Sequence, residues 1–361
     1  MCIRDRSNSD STVVVRASAS ASPGAVDVVL TSTTGATATQ SLGWTYLVAG
    51  VISTLTPGSG QIGTVVTISG SNLLGGGSTI SSITLAGTAV SQITSFSNNN
   101  IVVVAAQATA GTGDVIIVAN TGATTVATNG WTALTTGAVT AVTPASGIRG
   151  TAVVITGQRL LGGGSSIVSV SLAGVSVLNI ASSSDTTVSV RAGDGSGSGS
   201  VVLVANTGAI VTQANAWAYQ APGVISSVTP NTGQFGTKVT ISGTRLLGDG
   251  AQVTIVTLAG VEAEVVSFSN TMVVVVAQAS VAVNGDIVIT LDTSGLVVLT
   301  NGWTYGTQGI ILAVSPSSGQ QNTRVTIFGS NLFGYGNNIA SVTLNGQSAF
   351  IDAQTLSLIH I

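Results

Sequence analysis

The stretch GTKVTISG at residues 236–243 decides the fold class, because it recurs along the chain with one set of alternate positions unchanged. Its further copies lie at residues 63–70, 150–157 and 322–329. In every copy the positions of Val239 and Ile241 hold Val and Ile, whereas the position of Lys238 also holds Val, Ala and Arg. Successive side chains of a β-strand point to opposite faces of its sheet. The stretch therefore predicts a strand that buries Val239 and Ile241 and exposes Lys238.

A repeat of 86 or 87 residues surrounds this strand. One marker is a proline, found at Pro57, Pro144, Pro230 and Pro316. A second, independent marker is a tryptophan, found at Trp44, Trp131, Trp217 and Trp303. Each Trp precedes the next marked Pro by 13 residues, so the junctions between repeats are constant in length. A repeat of this length is the size of a small domain with its own core and exceeds most solenoid repeats.

These markers predict five units, numbered here in chain order. The first is the C-terminal half of a unit, the second to fourth are whole, and the fifth is an N-terminal half. Their expected bounds are residues 7–48, 49–135, 136–221, 222–307 and 308–355.

The two terminal segments, residues 1–6 and 356–361, are interpreted as adapter scars. DNA that encodes MCIRDR, read on its opposite strand, encodes Leu-Ser-Leu-Ile-His followed by Ile or Met, which matches the last six residues. This element resembles the transposase adapter used in sequencing-library preparation. Such segments are set aside in fold reasoning. We therefore expect the natural protein to continue beyond both ends.

Each unit is expected to contain about seven short strands and no helix. Strands are expected at residues 101–104, 272–276, 114–118 and 286–291, and a last strand ends at each Trp. Tight hairpins are expected where glycine supplies a positive φ, namely at Gly87, Gly174, Gly260 and Gly346. This pattern is typical of a β-sandwich of immunoglobulin type. The predicted fold class is all-β, with tandem immunoglobulin-like β-sandwich domains arranged as an elongated string.

An ordered set of motifs carries a family resemblance, most completely in the fourth unit. Its members are Thr229-Pro230, Gly233, Gly236-Thr237, Val239-Thr240-Ile241, Gly243, Leu246-Leu247-Gly248, Thr257-Leu258-Ala259-Gly260, Val265-Val266-Ser267-Phe268-Ser269 and Gly302-Trp303-Thr304-Tyr305. Over residues 7–355 the chain resembles tandem IPT/TIG (immunoglobulin-like, plexin, transcription factor) domains. The resemblance implies an early-set immunoglobulin-like sandwich that is not itself a catalyst. It also implies one of three settings: tandem units of receptor ectodomains such as plexins, DNA-contacting modules of Rel-type transcription factors, or accessory modules of bacterial polysaccharide enzymes and glycan-binding surface proteins.

Charge is scarce, which argues against several classes of function. Lys and Arg total 9 and Asp and Glu total 12, so 6% of residues are charged, against roughly 25% in an average domain. A nucleic-acid partner is not expected, because binding requires clustered cations, and the net charge is −3. The longest apolar runs, such as residues 272–277 and 101–106, have six residues, whereas a membrane-spanning helix needs about 20. No membrane contact is therefore expected within this segment.

Catalytic chemistry is also not expected. The single cysteine and the single histidine, Cys2 and His360, both lie in the terminal segments. Without them, disulfides, zinc sites and histidine-dependent nucleophilic catalysis are excluded. The carboxylates and cations are scattered. We predict that the chain is not an enzyme and has no catalytic, cofactor-binding or metal-binding residue.

A glycine-rich loop, LLGGGS at residues 73–78, recurs in every later unit. The equivalents are residues 160–165, 246–251 and 332–337. Phosphate-binding loops of this composition open a helix and carry a lysine, and neither is expected here. The prediction is a permissive turn whose first leucine is buried. Asp249 and Tyr335 interrupt the loop and mark where ligand specificity would differ between units.

An aspartate occupies one repeat position at Asp27, Asp114 and Asp286, with Ser200 in the third unit. A calcium site needs several converging oxygens, and no calcium-loop motif is present. The expected role is to cap or solvate the start of a strand.

Each Trp except Trp131 is followed two residues later by a tyrosine, namely Tyr46, Tyr219 and Tyr305, and Ala133 takes this place in the second unit. Residues two apart share a strand face. The pair is therefore either an aromatic platform for sugars, or its Trp packs in the core or at the seam with the next unit. Core packing is favoured, because only 4% of residues are aromatic.

Together these features predict a non-catalytic fragment of a secreted or cell-surface IPT/TIG-repeat protein, which acts as a structural spacer and adhesion or binding module. The expected partners are a protein or glycan ligand and the neighbouring repeats of the same chain. Charge-poor, Thr-rich tandem sandwiches without cysteine suit an extracellular or cell-surface location. Two alternatives stay open: an accessory glycan-binding segment of a polysaccharide-active enzyme, and the ectodomain of a membrane receptor.

Overall fold

The fold is described from a computed structural model, which covers residues 11–20, 22–355 and 358–360. The terminal segment 1–6 lies outside the described residues, and of 356–361 only 358–360 are described. Every regular element of the described part is a β-strand, which confirms the all-β prediction. The first, partial unit is a hairpin of two strands, β1 (Gly24–Thr31) and β2 (Thr37–Tyr46).

The second unit has seven longer strands and two of two residues each. They are β3 (Val51–Thr56), β4 (Ser59–Gly60), β5 (Val65–Ser71), β6 (Ile80–Leu85), β7 (Thr88–Ala89), β8 (Gln92–Phe96), β9 (Asn100–Val104), β10 (Gly111–Ala119) and β11 (Thr124–Ala133).

The third unit repeats this order. Its strands are β12 (Ala138–Thr143), β13 (Ser146–Gly147), β14 (Ala152–Gln158), β15 (Ile167–Leu172), β16 (Val175–Ser176), β17 (Asn179–Ser183), β18 (Thr187–Arg191), β19 (Ser198–Ala205) and β20 (Ile210–Tyr219).

The fourth unit merges two strands into one long strand, β25. Its strands are β21 (Val224–Thr229), β22 (Thr232–Gly233), β23 (Lys238–Thr244), β24 (Val253–Leu258), β25 (Val261–Phe268), β26 (Met272–Val276), β27 (Val283–Leu291) and β28 (Leu296–Tyr305).

The fifth, partial unit contains five strands, and the last described strand lies in the terminal segment 356–361 that is interpreted as an adapter scar. The five are β29 (Ile310–Ser315), β30 (Thr326–Ser330), β31 (Val342–Leu344), β32 (Gln347–Ala349) and β33 (Ala353–Thr355), and the last is β34 (Leu358–His360). The terminal strand β34 pairs with β30 and with β33.

Two sheets form each whole unit, as the second unit shows. One sheet has the order β3-β5-β9-β8 and the other the order β4-β11-β10-β6-β7. The chain changes sheets at Pro57, which lies between β3 and β4 and follows a cis peptide bond. The short β4 then runs parallel to the end of β11. In the fourth unit β25 pairs with both β24 and β26, so the two sheets are continuous.

The core lies between the sheets and contains the side chains that the alternation predicts. Val239 and Ile241 on β23 are fully buried, whereas Lys238 is exposed. They pack with Val273 and Val275 of the same sheet and with Ile287 of the opposite sheet. The predicted face of this strand is therefore confirmed.

The hairpin glycines adopt the predicted positive φ, at 80° for Gly87 and 83° for Gly260. The preceding residues, Ala86 and Ala259, also have a positive φ of 48°. Two successive positive φ values are the mark of a type I′ turn, which matches the twist of the flanking strands.

Three details differ from the sequence-based expectation. The strand expected to end at each Trp ends two residues later, at Tyr46, Ala133, Tyr219 and Tyr305. The seven longer strands per unit are present, but the two-residue strands were not expected, because two residues carry no periodic pattern. The strands expected to begin at Asp114 and Asp286 begin three residues earlier, at Gly111 and Val283. A register shift separates this early part from the rest of each strand, and it interrupts the apolar alternation.

Candidate functional site

The tryptophans of the whole units and Tyr305 are core residues, whereas Tyr219 is partly exposed. Trp131, Trp217 and Trp303 are at most 2% exposed, and Tyr305 is 1% exposed. Each Trp–Tyr pair meets edge to face, with ring centroids 5.6 Å apart in the third unit and 5.5 Å apart in the fourth. This arrangement is favourable for aromatic rings. The buried rings leave no sugar-stacking platform at these three tryptophans.

Burial has an electrostatic consequence for the tyrosines. The pKa of Tyr305 is raised because burial disfavours the charged phenolate, against a smaller lowering by the Gln278 backbone. The pKa of Tyr219 is raised for the same reason, and Asp194 raises it further. Both side chains therefore remain neutral phenols at physiological pH. The indole N–H groups of Trp217 and Trp303 are buried without a hydrogen-bond partner among the described residues.

The first unit presents the same pair to solvent. Trp44 is 48% exposed and lies edge to face with Tyr46 at 6.0 Å. Both strands of this two-stranded sheet are exposed along almost their whole length.

The recurring aspartates do not gather around a common point but stabilise a bulge in the facing strand. Asp114 Oδ1 accepts a hydrogen bond of 2.9 Å from the Asn129 amide, and Asp286 accepts one of 2.9 Å from the Asn301 amide. Asn129 and Asn301 have φ values of 49° and 52°, in the left-handed region. The carboxylate thus satisfies the amide of the strained residue. The predicted capping of a strand start is wrong in its position, because the bond lies at the register shift inside the strand.

The glycine-rich loop is a turn closed by its own backbone. In the second unit the Gly75 amide donates to the Asn72 carbonyl at 2.9 Å, and the Gly77 amide donates to the Leu74 carbonyl at 2.8 Å. The first leucine of the loop is buried in each whole unit, as predicted, at Leu73, Leu160 and Leu246. No helix follows the loop in the part of the chain that the structure describes. The loop therefore lacks the helix N-terminus that binds phosphate in glycine-rich loops.

The two residues that interrupt this loop contact neighbouring units. Asp249 accepts hydrogen bonds from Thr293 of its own unit and from Thr151 of the third unit. Tyr335 of the fifth unit lies against Gly306 of the fourth, where an added Cβ would collide with its ring. The expectation that these two positions tune ligand specificity has no support in this geometry, because both side chains are engaged within the chain.

A cavity of about 320 Å³ opens in the fifth unit. Its apolar lining includes Ile327, Leu332 and Ile339. These residues occupy the repeat positions of Ile241, Leu246 and Val253, which lie in the core of the fourth unit under the β27–β28 hairpin. The cavity is thus the uncovered core of a half unit and not a built ligand site.

Neither a metal site nor a membrane span is indicated in the part of the chain that is described. Its Asp and Glu side chains form no group of three or more that could hold a metal ion. Among the described residues, no helix is long and apolar enough to cross a membrane.

A family model now agrees with the fold. The model described as "IPT/TIG domain" matches residues 51–133, 138–219 and 224–308, which together make up more than half of the chain. The chain belongs to the IPT/TIG family. The resemblance drawn from the motifs is thereby confirmed, as are the immunoglobulin-like sandwich and its tandem repetition. An IPT/TIG chain of this kind is a binding or structural module.

Solved structures that the comparison matches include the plexin A4 extracellular region, at 19% identity and a TM-score of 0.44. That alignment covers 87% of this chain and 29% of the plexin chain, so this chain spans less than a third of its length. The Bacteroides ovatus mixed-linkage glucan utilization locus protein SGBP-B, in complex with a heptasaccharide, is 14% identical at a TM-score of 0.22, covering 80% of this chain and 72% of that one. With TM-scores below 0.5, these likenesses carry no information on function. A search of curated proteins found no match.

Proposed function

We propose that the IPT/TIG units form a structural spacer that presents binding surfaces for adhesion, as a non-catalytic part of a secreted or cell-surface protein. The observation that carries this proposal is the place that the recurring side chains take in the fold. In the whole units the tryptophans fill cores, Asp114 and Asp286 hold bulges, and the first leucine of the glycine-rich loop is buried. These recurring side chains therefore build the sandwich, which supports a structural role for them.

Contacts between consecutive units support the spacer. The Ala152 amide of the third unit donates to the Thr293 carbonyl of the fourth at 2.9 Å, and the Gly309 amide of the fifth donates to Gln234 Oε1 of the fourth at 2.6 Å. Units that bond to each other across short junctions of constant length move less freely than units on a flexible linker.

The partner in adhesion is a protein or a glycan. Apolar side chains at the ends of β8 and β25 are available to it, since Phe96 is 44% exposed in the second unit and Phe268 is 41% exposed in the fourth. The two phenylalanines are structurally equivalent, because they pair with Ile101 and Val273 respectively. With 6% charged residues, binding depends little on salt, because screening acts on exposed charges.

Small-angle X-ray scattering of the purified chain tests the spacer. We expect the distance distribution of an elongated particle, with a maximum dimension well above that of a globule of 361 residues, whose radius of gyration would be about 21 Å. A symmetric, compact distribution would contradict the proposal.

A further inference from the structure

The third and fourth units meet through a loop of the third, residues 147–152. Ile148 of this loop is 1% exposed and belongs to the core cluster of the fourth unit. It lies against Gly248, where an added Cβ would come within 2.7 Å of Ile148 Cδ1. An apolar side chain of one unit is thus buried in the core of the next.

Two backbone hydrogen bonds reinforce this contact. The Ala152 amide donates to the Thr293 carbonyl at 2.9 Å, and the Leu296 amide donates to the Arg149 carbonyl at 2.8 Å. Residues 149–152 of the third unit are therefore held to residues 293–296 of the fourth by two backbone hydrogen bonds.

Asp249 joins the two sides with both of its carboxylate oxygens. Oδ2 accepts a bond of 2.6 Å from the hydroxyl of Thr151, and Oδ1 accepts one of 2.8 Å from the hydroxyl of Thr293. Thr151 is fully buried, and its oxygen also accepts the Ile148 amide at 3.0 Å. The Ile148 carbonyl lies 2.8 Å from the same hydroxyl, but a hydroxyl has one proton, and the charged carboxylate is the stronger acceptor.

Asp249 is the part of this junction that the other units lack. The equivalent positions hold Gly76, Gly163 and Tyr335. The two threonines, by contrast, recur in other units. The position of Thr151 is occupied by Thr64, Thr237 and Thr323. The position of Thr293 is occupied by Thr121 and Thr207. The hydroxyl groups belong to the general plan of the repeat, and the carboxylate is specific to the contact between the third and fourth units.

We propose that Asp249 locks the third and fourth units into one rigid body, with residues 147–152 as the interaction surface and the fourth unit as its partner. The biological purpose of this rigid junction rests on the proposed spacer role. The lock gives the spacer a stiff junction in which one carboxylate bonds both units, and it makes the third and fourth units a single binding body.

Hydrogen exchange of the full chain, read by NMR, tests the lock at the amides of Ala152 and Leu296. In Asp249→Ala we expect these two amides to exchange about tenfold faster or more. The variant loses the two hydrogen bonds from Thr151 and Thr293 to the carboxylate, and hydrogen bonds to a charged group stabilise a contact more than neutral ones do. The Gly150 amide, which donates to Ala192 within the third unit, should keep its wild-type rate and report an intact fold. Asp249→Gly, which installs the residue of two other units, provides a second variant if the first fails to fold.

Asp292→Ala is the matched control. Asp292 lies beside Thr293 in the turn between β27 and β28. It accepts the Ala251 amide at 3.0 Å within the fourth unit, so its loss should leave the amides of Ala152 and Leu296 protected. Unchanged exchange in both Asp249 variants overturns the lock, and so does equal acceleration in Asp292→Ala. Since exchange at two amides does not depend on the shape of the whole chain, failure of the lock is distinguishable from failure of the spacer in scattering.

Discussion

Two hairpins of this chain, β1–β2 and β27–β28, have the same local structure in different surroundings. Both have the same register, with the shift placed at Asp27 and at Asp286. Each aspartate bonds an amide of the facing strand, at 2.8 Å for Asp27 and 2.9 Å for Asp286. The Trp–Tyr pairs are both edge to face, at 84°. Yet Trp44 is 48% exposed, whereas Trp303 is fully buried.

The difference shows which properties the hairpin holds by itself. Register, bulge and ring geometry form between neighbouring strands and persist without a second sheet. Burial depends on the strands β21, β23, β25 and β26, whose side chains cover β27–β28 in the fourth unit. Among the described residues no comparable sheet covers β1–β2.

The largest effect in this comparison is expected for removal of the indole ring. Trp303→Ala should lower the free energy of unfolding of the fourth unit by about 3–5 kcal/mol, because it removes buried apolar surface and leaves a cavity. Trp44→Ala should change stability by at most about 0.5 kcal/mol, since its ring is half in water. Scanning calorimetry of the full chain measures both. Equal shifts in the two variants would show that burial does not separate the hairpins.

Removal of the aspartate that holds the bulge should lower stability less than removal of the indole ring, and by a similar amount in the two hairpins. Asp286→Ala should cost about 1 kcal/mol in local stability, because the amide of Asn301 loses its acceptor in a left-handed conformation. Asp27→Ala should have a similar effect on the Leu42 amide, because that bond is formed within the hairpin. Exchange rates of these two amides give the comparison, and Asp286→Asn, which keeps an acceptor oxygen, is the control. An effect confined to the fourth unit would show that the bulge depends on tertiary packing.

Near neutral pH the smallest effect on stability is expected from ionisation of Tyr305. This effect grows at alkaline pH. Its folded pKa is raised by burial, so the fold favours the neutral phenol. The resulting stabilisation is complete below the unfolded pKa of about 10 and is lost as pH rises through that value toward the folded pKa. In Tyr305→Phe the alkaline loss of stability should be smaller than in the wild type. Thermal unfolding followed from pH 8 to 11 checks this, and identical profiles would refute it.

Much of the fold could be predicted from the sequence, because comparison of equivalent positions in the repeats shows which residue types stay constant. Positions that stay apolar in every copy, such as Val239 and Ile241, identified the core face without knowledge of the partner strands. Glycines such as Gly260 identified the hairpins, because a turn that needs positive φ strongly selects glycine. The two-residue strands could not be found in this way, and Asp286 was assigned to a strand start because the bulge interrupts the alternation.

The sequence by itself determined the length of the unit, the seven longer strands, the buried leucine of the loop and the IPT/TIG family, since each depends on residues near in sequence or repeated at a fixed period. Tertiary structure alone decided the surroundings of these elements. Trp44 and Trp303 occupy the same repeat position with opposite burial, because a second sheet covers only one of them. Asp249 contacts Thr151, which lies 98 residues earlier in the chain. No periodic pattern encodes that contact, because it arises only when two folded units meet.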